Sequence, residues 1–340
     1  MNQQAKQYMS RRRAVTLTAT ALFTVSVVAL AGCAATTGTL SASSSLTSST
    51  AEPTTGAVSD QLFTPADMSS VLPSLTWGSP QTVDGVTWDG SDVTTNLAAD
   101  VFTVTTNSIP NHERDAYYAV PQNGVLIPDA NTSTIAEDPT RAQEMTFSIP
   151  TSPTYSNTTT AAPLGSIGVM ISGAVLFNPF EGDGTTVAMA NNFTITQDGV
   201  TASFVDQCSG HPTFNGTYHY HANSSCVTRQ VDARDEPSHI VGLALDGFPI
   251  YGAYDMSGVE ITSDKLDECN GIYSATPEFP AGIYHYVLPN TTDESSSIRC
   301  FHGEVDSSQI QQMPPMMGPM NQMGPMNGPP MPPMNPGNKP

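Results

Sequence analysis

One pattern occurs twice in this chain and restricts its fold more than any other feature: Asp-x-Cys-x-Gly, then Tyr-His-Tyr, then a further cysteine. The first copy runs Asp206-Gln207-Cys208-Ser209-Gly210, Tyr218-His219-Tyr220-His221 and Cys226. The second runs Asp267-Glu268-Cys269-Asn270-Gly271, Tyr284-His285-Tyr286 and Cys300. Side chains alternate across a strand, so His219 and His221 share one face and Tyr218 and Tyr220 the other. Two imidazoles about 7 Å apart along a strand can converge on one ion. Beyond Cys33 these are the only cysteines, and none forms a Cys-x-x-Cys pair, which argues against a thiolate zinc site. An oxidising compartment favours two disulfides. Three connectivities are open, and the duplicated pattern favours Cys208–Cys226 and Cys269–Cys300, each bridge framing one Tyr-His-Tyr strand.

The chain begins with Lys6, Arg11, Arg12 and Arg13 ahead of an apolar stretch, Ala14 to Leu30, that is short and Thr-rich for a membrane span. Leu30-Ala31-Gly32-Cys33 resembles the lipobox of bacterial lipoproteins. That resemblance implies a signal peptide over residues 1–32, lipid on Cys33, and an exported protein anchored to the cell envelope, at the outer membrane or cell surface. Residues 33–61, rich in Ser and Thr, read as a flexible tether. Residues 307–340 read as a disordered tail, carrying Met313, Met316, Met317, Met320, Met323, Met326, Met331 and Met334 among prolines. Thioethers select Cu(I), so the tail is either a solvated spacer or a soft-ligand tract.

The formal charge is −20, and loss of the four basic residues with the signal takes it to −24. Nucleic acid and anionic membrane surfaces are therefore poor partners, whereas cations are attracted. Between residues 62 and 306, turn dipeptides such as Asp84-Gly85, Asn123-Gly124, Asp183-Gly184, Asn215-Gly216 and Asp246-Gly247 punctuate short β-branched and aromatic runs. The runs include Val101 to Thr106, Ile167 to Phe177, Thr186 to Thr196, Ile240 to Leu245 and Ile283 to Leu288. They predict one mainly β domain, an antiparallel sandwich or barrel with little helix beyond a short one over Ser263 to Glu268. Ile240 to Leu245 is continuously apolar and predicts a central strand. Asp246-Gly247 then turns the chain, and Phe248 to Gly252 is expected to leave the sheet edge. Asp246 reads as a turn former, with a role beside a histidine as the alternative.

The Tyr218-His219-Tyr220-His221 stretch resembles the YHYH-domain family of exported, mostly bacterial proteins. So do Cys208-Ser209-Gly210-His211-Pro212, Leu245 to Gly252, and Leu266 to Gly271 with Tyr284-His285-Tyr286. The resemblance covers roughly residues 165–302 and implies an exported setting and a shared fold, but no activity. The second copy departs from the first by having Val287 where His221 stands.

Metal binding is thus expected at His219 and His221, with His211 nearby and His285 as a further ligand. Neutral imidazoles suit Cu(II) or Zn(II), and the methionine tail favours copper. Two other readings compete. One is a metal-dependent enzyme on the same histidines, although Gly-x-Ser-x-Gly, His-Glu-x-x-His and phosphate-loop motifs are all absent. The other is a structural or adhesion module whose histidines only pack. The sequence names no protein partner.

Overall fold

The computed structural model describes residues 67–83, 85–118, 135–136 and 138–310. The segments expected to be signal and tether, Cys33 and the tail methionines lie outside them. The architecture is mainly β, as expected, with eight strands in the principal sheet. In spatial order these are Gly210–Pro212, Tyr218–Tyr220, Val175–Phe177, Ser166–Met170, Ile240–Ala244, Pro249–Tyr251, Ile283–Val287 and Gly271–Ser274.

That order is a palindrome of two equivalent halves. Each half holds an antiparallel hairpin, Ser166–Met170 with Val175–Phe177 or Ile240–Ala244 with Pro249–Tyr251. Each then adds a Tyr-His-Tyr strand in parallel, Val175 opposite His219 in one half and Ile250 opposite Tyr286 in the other. Each ends with the Asp-x-Cys-x-Gly strand paired antiparallel, Gly210 opposite Tyr220 and Gly271 opposite Tyr286. The halves meet along an antiparallel seam where Val169 pairs with Leu243, flanked by Gly168 with Ala244 and Met170 with Gly242. Superposing the pairings makes Val169 equivalent to Leu243 and Ser172-Gly173 equivalent to Asp246-Gly247. An approximate twofold axis therefore passes through the Val169–Leu243 pair.

The repeated aspartate explains its own spacing. Asp206 Oδ1 accepts from the backbone N–H of Cys208 (2.8 Å) and Gly210 (3.1 Å), and its Oδ2 accepts from the Tyr218 hydroxyl at 2.9 Å. Asp267 repeats this with Cys269 (2.9 Å), Gly271 (2.7 Å) and the Tyr284 hydroxyl (2.8 Å). The residue before each glycine, Ser209 or Asn270, has positive φ, 62° and 69°. A side chain at Gly210 would place its Cβ 2.4 Å from the Tyr218 Oη, and one at Gly271 would place it 1.8 Å from the Tyr284 Oη. Only glycine lets the tyrosine ring lie across the turn. The disulfides are Cys208–Cys226 and Cys269–Cys300, the pairing that the duplication favours.

The principal sheet shares one apolar core with a three-stranded sheet formed by Val93–Ala98, Val101–Thr106 and Met145–Pro150. There Phe102 and Val104 alternate inward with Phe147 and Ile149, the period-2 signature of a sheet with one solvated face. A four-stranded sheet of Thr194–Gln197, Val200–Ser203, Ala116–Tyr118 and Ile135–Ala136 flanks the first half.

Several local expectations are corrected. The run from Ile167 to Phe177 is a hairpin, because Gly173, at φ 92°, reverses the chain within it. Thr186 to Thr196 is largely irregular, with one 3-10 turn at Met189–Asn191. Phe248 to Gly252 does not leave the sheet. Pro249–Tyr251 lies inside it, and the next strand joins it in parallel at Ile250 and Tyr251, so the missing N–H of Pro249 leaves that pairing intact. The helix expected over Ser263 to Glu268 is a single 3-10 turn, Ser263–Lys265. A short α-helix at Ser225–Thr228 carries Cys226 instead. Ser307–Gln309, at the start of the expected tail, forms a 3-10 turn, and Gln309 Nε2 donates to the Ser148 carbonyl at 2.6 Å.

Candidate metal site

The Tyr-His-Tyr strand of the first half has two unlike faces. Tyr218 and Tyr220 turn to the polar network around Asp206, His112 and Ser172. The Tyr220 hydroxyl lies 2.5 Å from His112 Nε2 and 2.7 Å from Ser172 Oγ. His219 turns to the other face. His211 joins it from the adjacent strand as its direct cross-strand partner, and His221 joins it from just beyond the strand end. The three ring centroids lie 4.7, 4.7 and 5.2 Å apart. All three side chains are buried.

Backbone carbonyls fix which nitrogen of each ring carries hydrogen. His211 Nδ1 is 3.0 Å from the Phe204 carbonyl, His219 Nδ1 is 3.1 Å from that of Thr217, and His221 Nδ1 is 2.6 Å from that of Asn178. A carbonyl oxygen only accepts, so each Nδ1 must donate, and each neutral ring turns a bare Nε2 inward. Burial keeps the rings neutral. It lowers His221 to about 4, drives His219 well below its ordinary value and, aided by the neighbouring His221, lowers His211 to about 3.

The three Nε2 atoms face one another. Those of His219 and His221 are 3.0 Å apart, a hydrogen-bonding distance with no hydrogen to share. Glu181 completes the group from the loop after Val175–Phe177. Its Oε1 lies 3.6 Å from His211 Nε2 and 3.7 Å from His221 Nε2. Among the described residues, neither Glu181 Oε1 nor His211 Nε2 has a hydrogen-bond partner. Burial, with the charge of Asp183 added, pushes Glu181 up to about 8. Donors at roughly 2.1 Å from a tetrahedral ion stand about 3.4 Å apart, and the separations of 3.0, 3.6 and 3.7 Å lie near that spacing. The three histidines could hold a metal ion. Phe177 stacks on His219 at 4.0 Å, and Phe204 meets His211 edge-on at 4.9 Å, shielding the imidazoles from water.

His285 is not part of this group, which corrects its expected role as a ligand. Its strand is five strands away across the sheet, and its Nδ1 bonds to the Ile283 carbonyl at 3.0 Å while Tyr251 meets its ring at 4.8 Å. It is the structural twin of His219. The second half has Ile272 and Val287 where the first has His211 and His221, so only one of its three equivalent positions carries an imidazole. The alternative role for Asp246, beside a histidine ring, is also corrected. Its Oδ2 accepts from the Tyr286 hydroxyl (2.6 Å) and the Gly303 N–H (2.9 Å), while Oδ1 accepts from Phe248 N–H (3.2 Å). Two further groupings, around His112 and around His302, include sulfurs of Cys208, Cys226 and Cys269. Those sulfurs are tied up in disulfides and offer no thiolate.

Glu181 is absent from the sequence reading. The signal that could have found it is the match of Phe177-Asn178-Pro179-Phe180-Glu181 to Tyr251-Gly252-Ala253-Tyr254-Asp255. The two segments leave equivalent strands, and each makes an isolated antiparallel bridge, at Phe180–Val187 and Tyr254–Glu260. One carboxylate per half therefore hangs at the same place.

No curated protein and no solved structure matches the chain. The family model described as YHYH protein matches residues 146–260 and 253–303, which span both duplicated units and all three clustered histidines. Residues 146–303 of this chain therefore match the YHYH protein family.

Proposed function

We propose that this protein is an exported, lipid-anchored metal-binding protein whose first half holds one divalent transition-metal ion on His211, His219, His221 and Glu181. One observation carries the reading: three buried imidazoles have their Nδ1 atoms committed to backbone carbonyls, leaving three bare Nε2 atoms aimed at one another. A packing cluster has no reason to leave two lone pairs 3.0 Å apart, whereas an ion between them turns that repulsion into coordination.

The donor set is three imidazoles and one carboxylate, which suits Cu(II) or Zn(II) and lacks the soft sulfur that selects Cu(I). Copper is favoured by the methionine tail, which would act as a separate Cu(I) tract. Four protein ligands fill a tetrahedral shell, the arrangement of a binding or structural site rather than of a catalytic one with an open position. The Cys33 lipid would place the domain at the membrane surface.

Elemental analysis of the purified full chain tests the site. The expected result is one equivalent of metal, lost in both His219→Ala and His221→Ala. Absence of metal, or an unchanged content in both variants, overturns the reading. Deletion of residues 311–340 should remove Cu(I) capacity and leave the fold intact; retained Cu(I) capacity counts against the tail's role.

A further inference from the structure

A second arrangement of ligand atoms lies in the other half, on the face of the sheet occupied by Tyr284. His302 is 3 % exposed, and its ring is stacked on Tyr155 (centroids 4.5 Å, planes 14° apart) and edge-on to Tyr284 (5.4 Å). Its Nδ1 is 2.7 Å from the Ser156 carbonyl, so Nδ1 carries hydrogen and donates. The ring is thereby held in one orientation. Its buried Nε2 has no hydrogen-bond partner among the described residues.

That nitrogen faces two carboxylates. Asp267 Oδ2 stands at 3.5 Å and Glu268 Oε1 at 3.8 Å. A bare Nε2 would set its lone pair against two anions. A protonated one would donate across gaps too long for a hydrogen bond. An ion at roughly 2.1 Å from each atom satisfies all three, since such ligands stand about 3.4 Å apart. Asp267 is held in place independently, by the Cys269 and Gly271 N–H groups on Oδ1 and the Tyr284 hydroxyl on Oδ2. Glu268 is exposed and opens the position to solvent.

We propose that His302, Asp267 and Glu268 form a second divalent-cation site, solvent-facing and separate from the buried histidine cluster. One nitrogen and two oxygens suit Zn(II) or another borderline divalent ion, and the remaining positions go to water. Because only three ligands are protein, and one is exposed at the surface, this site exchanges its ion with the medium.

The test is a calorimetric Zn2+ titration of the metal-depleted full chain against two variants. Glu268→Gln changes an exposed residue and leaves the core untouched. His302→Asn retains a donor for the Ser156 carbonyl and removes Nε2. The wild type should bind one Zn2+ more than either variant, or bind its last equivalent about tenfold more tightly. Circular dichroism should show the same fold in all three. Equal stoichiometry and affinity in wild type and both variants overturns the proposal, whatever the buried cluster does. So does a nitrogen-15 spectrum at neutral pH showing His302 protonated at both ring nitrogens in the presence of excess Zn2+.

Discussion

His221→Val tests the buried site with the least damage, because the second half already uses this exchange: Val287 occupies the equivalent place and is fully buried. The substitution removes the Nδ1 donor to the Asn178 carbonyl, which costs about 1–3 kcal/mol if that oxygen is left unpaired. It also removes one of the two lone pairs that face each other 3.0 Å apart, which offsets part of that loss in the metal-free chain. Metal-free wild type and variant should therefore differ little. The loaded proteins should differ greatly. At a metal concentration about a thousand times the dissociation constant, binding adds about 4 kcal/mol to the wild type, and for a domain of this size that is roughly 8–16 °C in Tm. The assay is thermal unfolding with excess Zn2+ and with a chelator. Wild type should drop by that interval on chelation. His221→Val should melt within a few degrees of chelated wild type in both conditions. A variant that keeps the full metal-dependent shift, or a wild type that shows none, refutes the reasoning.

Acid should destabilise the fold through its buried imidazoles. His112, which faces Tyr220, Glu113, Arg114 and Arg229, is lowered by burial from 6.5 to about 4. The folded state holds it neutral, so its contribution is complete above pH 6.5 and disappears as pH falls towards 4, about 3 kcal/mol in all. Urea midpoints at pH 7, 5.5 and 4.5 should fall in that order, and a flat profile contradicts the assignment. Replacing Cys208 and Cys226 by alanine opens a loop of sequence separation 18 and should cost about 3 kcal/mol, read as a lower urea midpoint. Gly271→Ala sets a Cβ 1.8 Å from the Tyr284 Oη and should break its bond to Asp267, costing about 3 kcal/mol. An unchanged Tm in that variant would show that the turn can shift at no cost.

The duplicated motif was legible because its parts are chemically specific: a carboxylate that accepts two turn N–H groups and a tyrosine hydroxyl, a glycine under the tyrosine ring, and a cysteine between them. The disulfide pairing followed from the same periodicity. The three histidines of the first copy also lie together, since cross-strand and alternate positions are predictable once the strand is recognised. The parallel pairings were not legible. About forty residues separate Val175–Phe177 from Tyr218–Tyr220, with the strands Thr194–Gln197, Val200–Ser203 and Gly210–Pro212 among them, and no local pattern says which strand a Tyr-His-Tyr segment will meet. The hairpin halves escaped notice because little besides the glycines is identical between Gly168-Val169-Met170-Ile171-Ser172-Gly173 and Gly242-Leu243-Ala244-Leu245-Asp246-Gly247. Glu181 was hidden for the same reason: one acid in a turn-rich loop resembles any solvated charge until its strand is superposed on that of Asp255.

The seam at Val169 and Leu243 has a consequence for how this molecule can be taken apart. Two equivalent strands pairing antiparallel about an axis is the junction by which separate subunits form a symmetric dimer. Here both partners are on one chain, and their effective concentration never dilutes away. A fragment ending before Ile240 would carry every residue of the buried histidine cluster, yet its strand Ser166–Met170 would present a bare, apolar edge. Such a fragment is expected to recruit a second copy of itself along that edge or to aggregate. The half that carries the histidine cluster therefore depends on its twin to close the sheet.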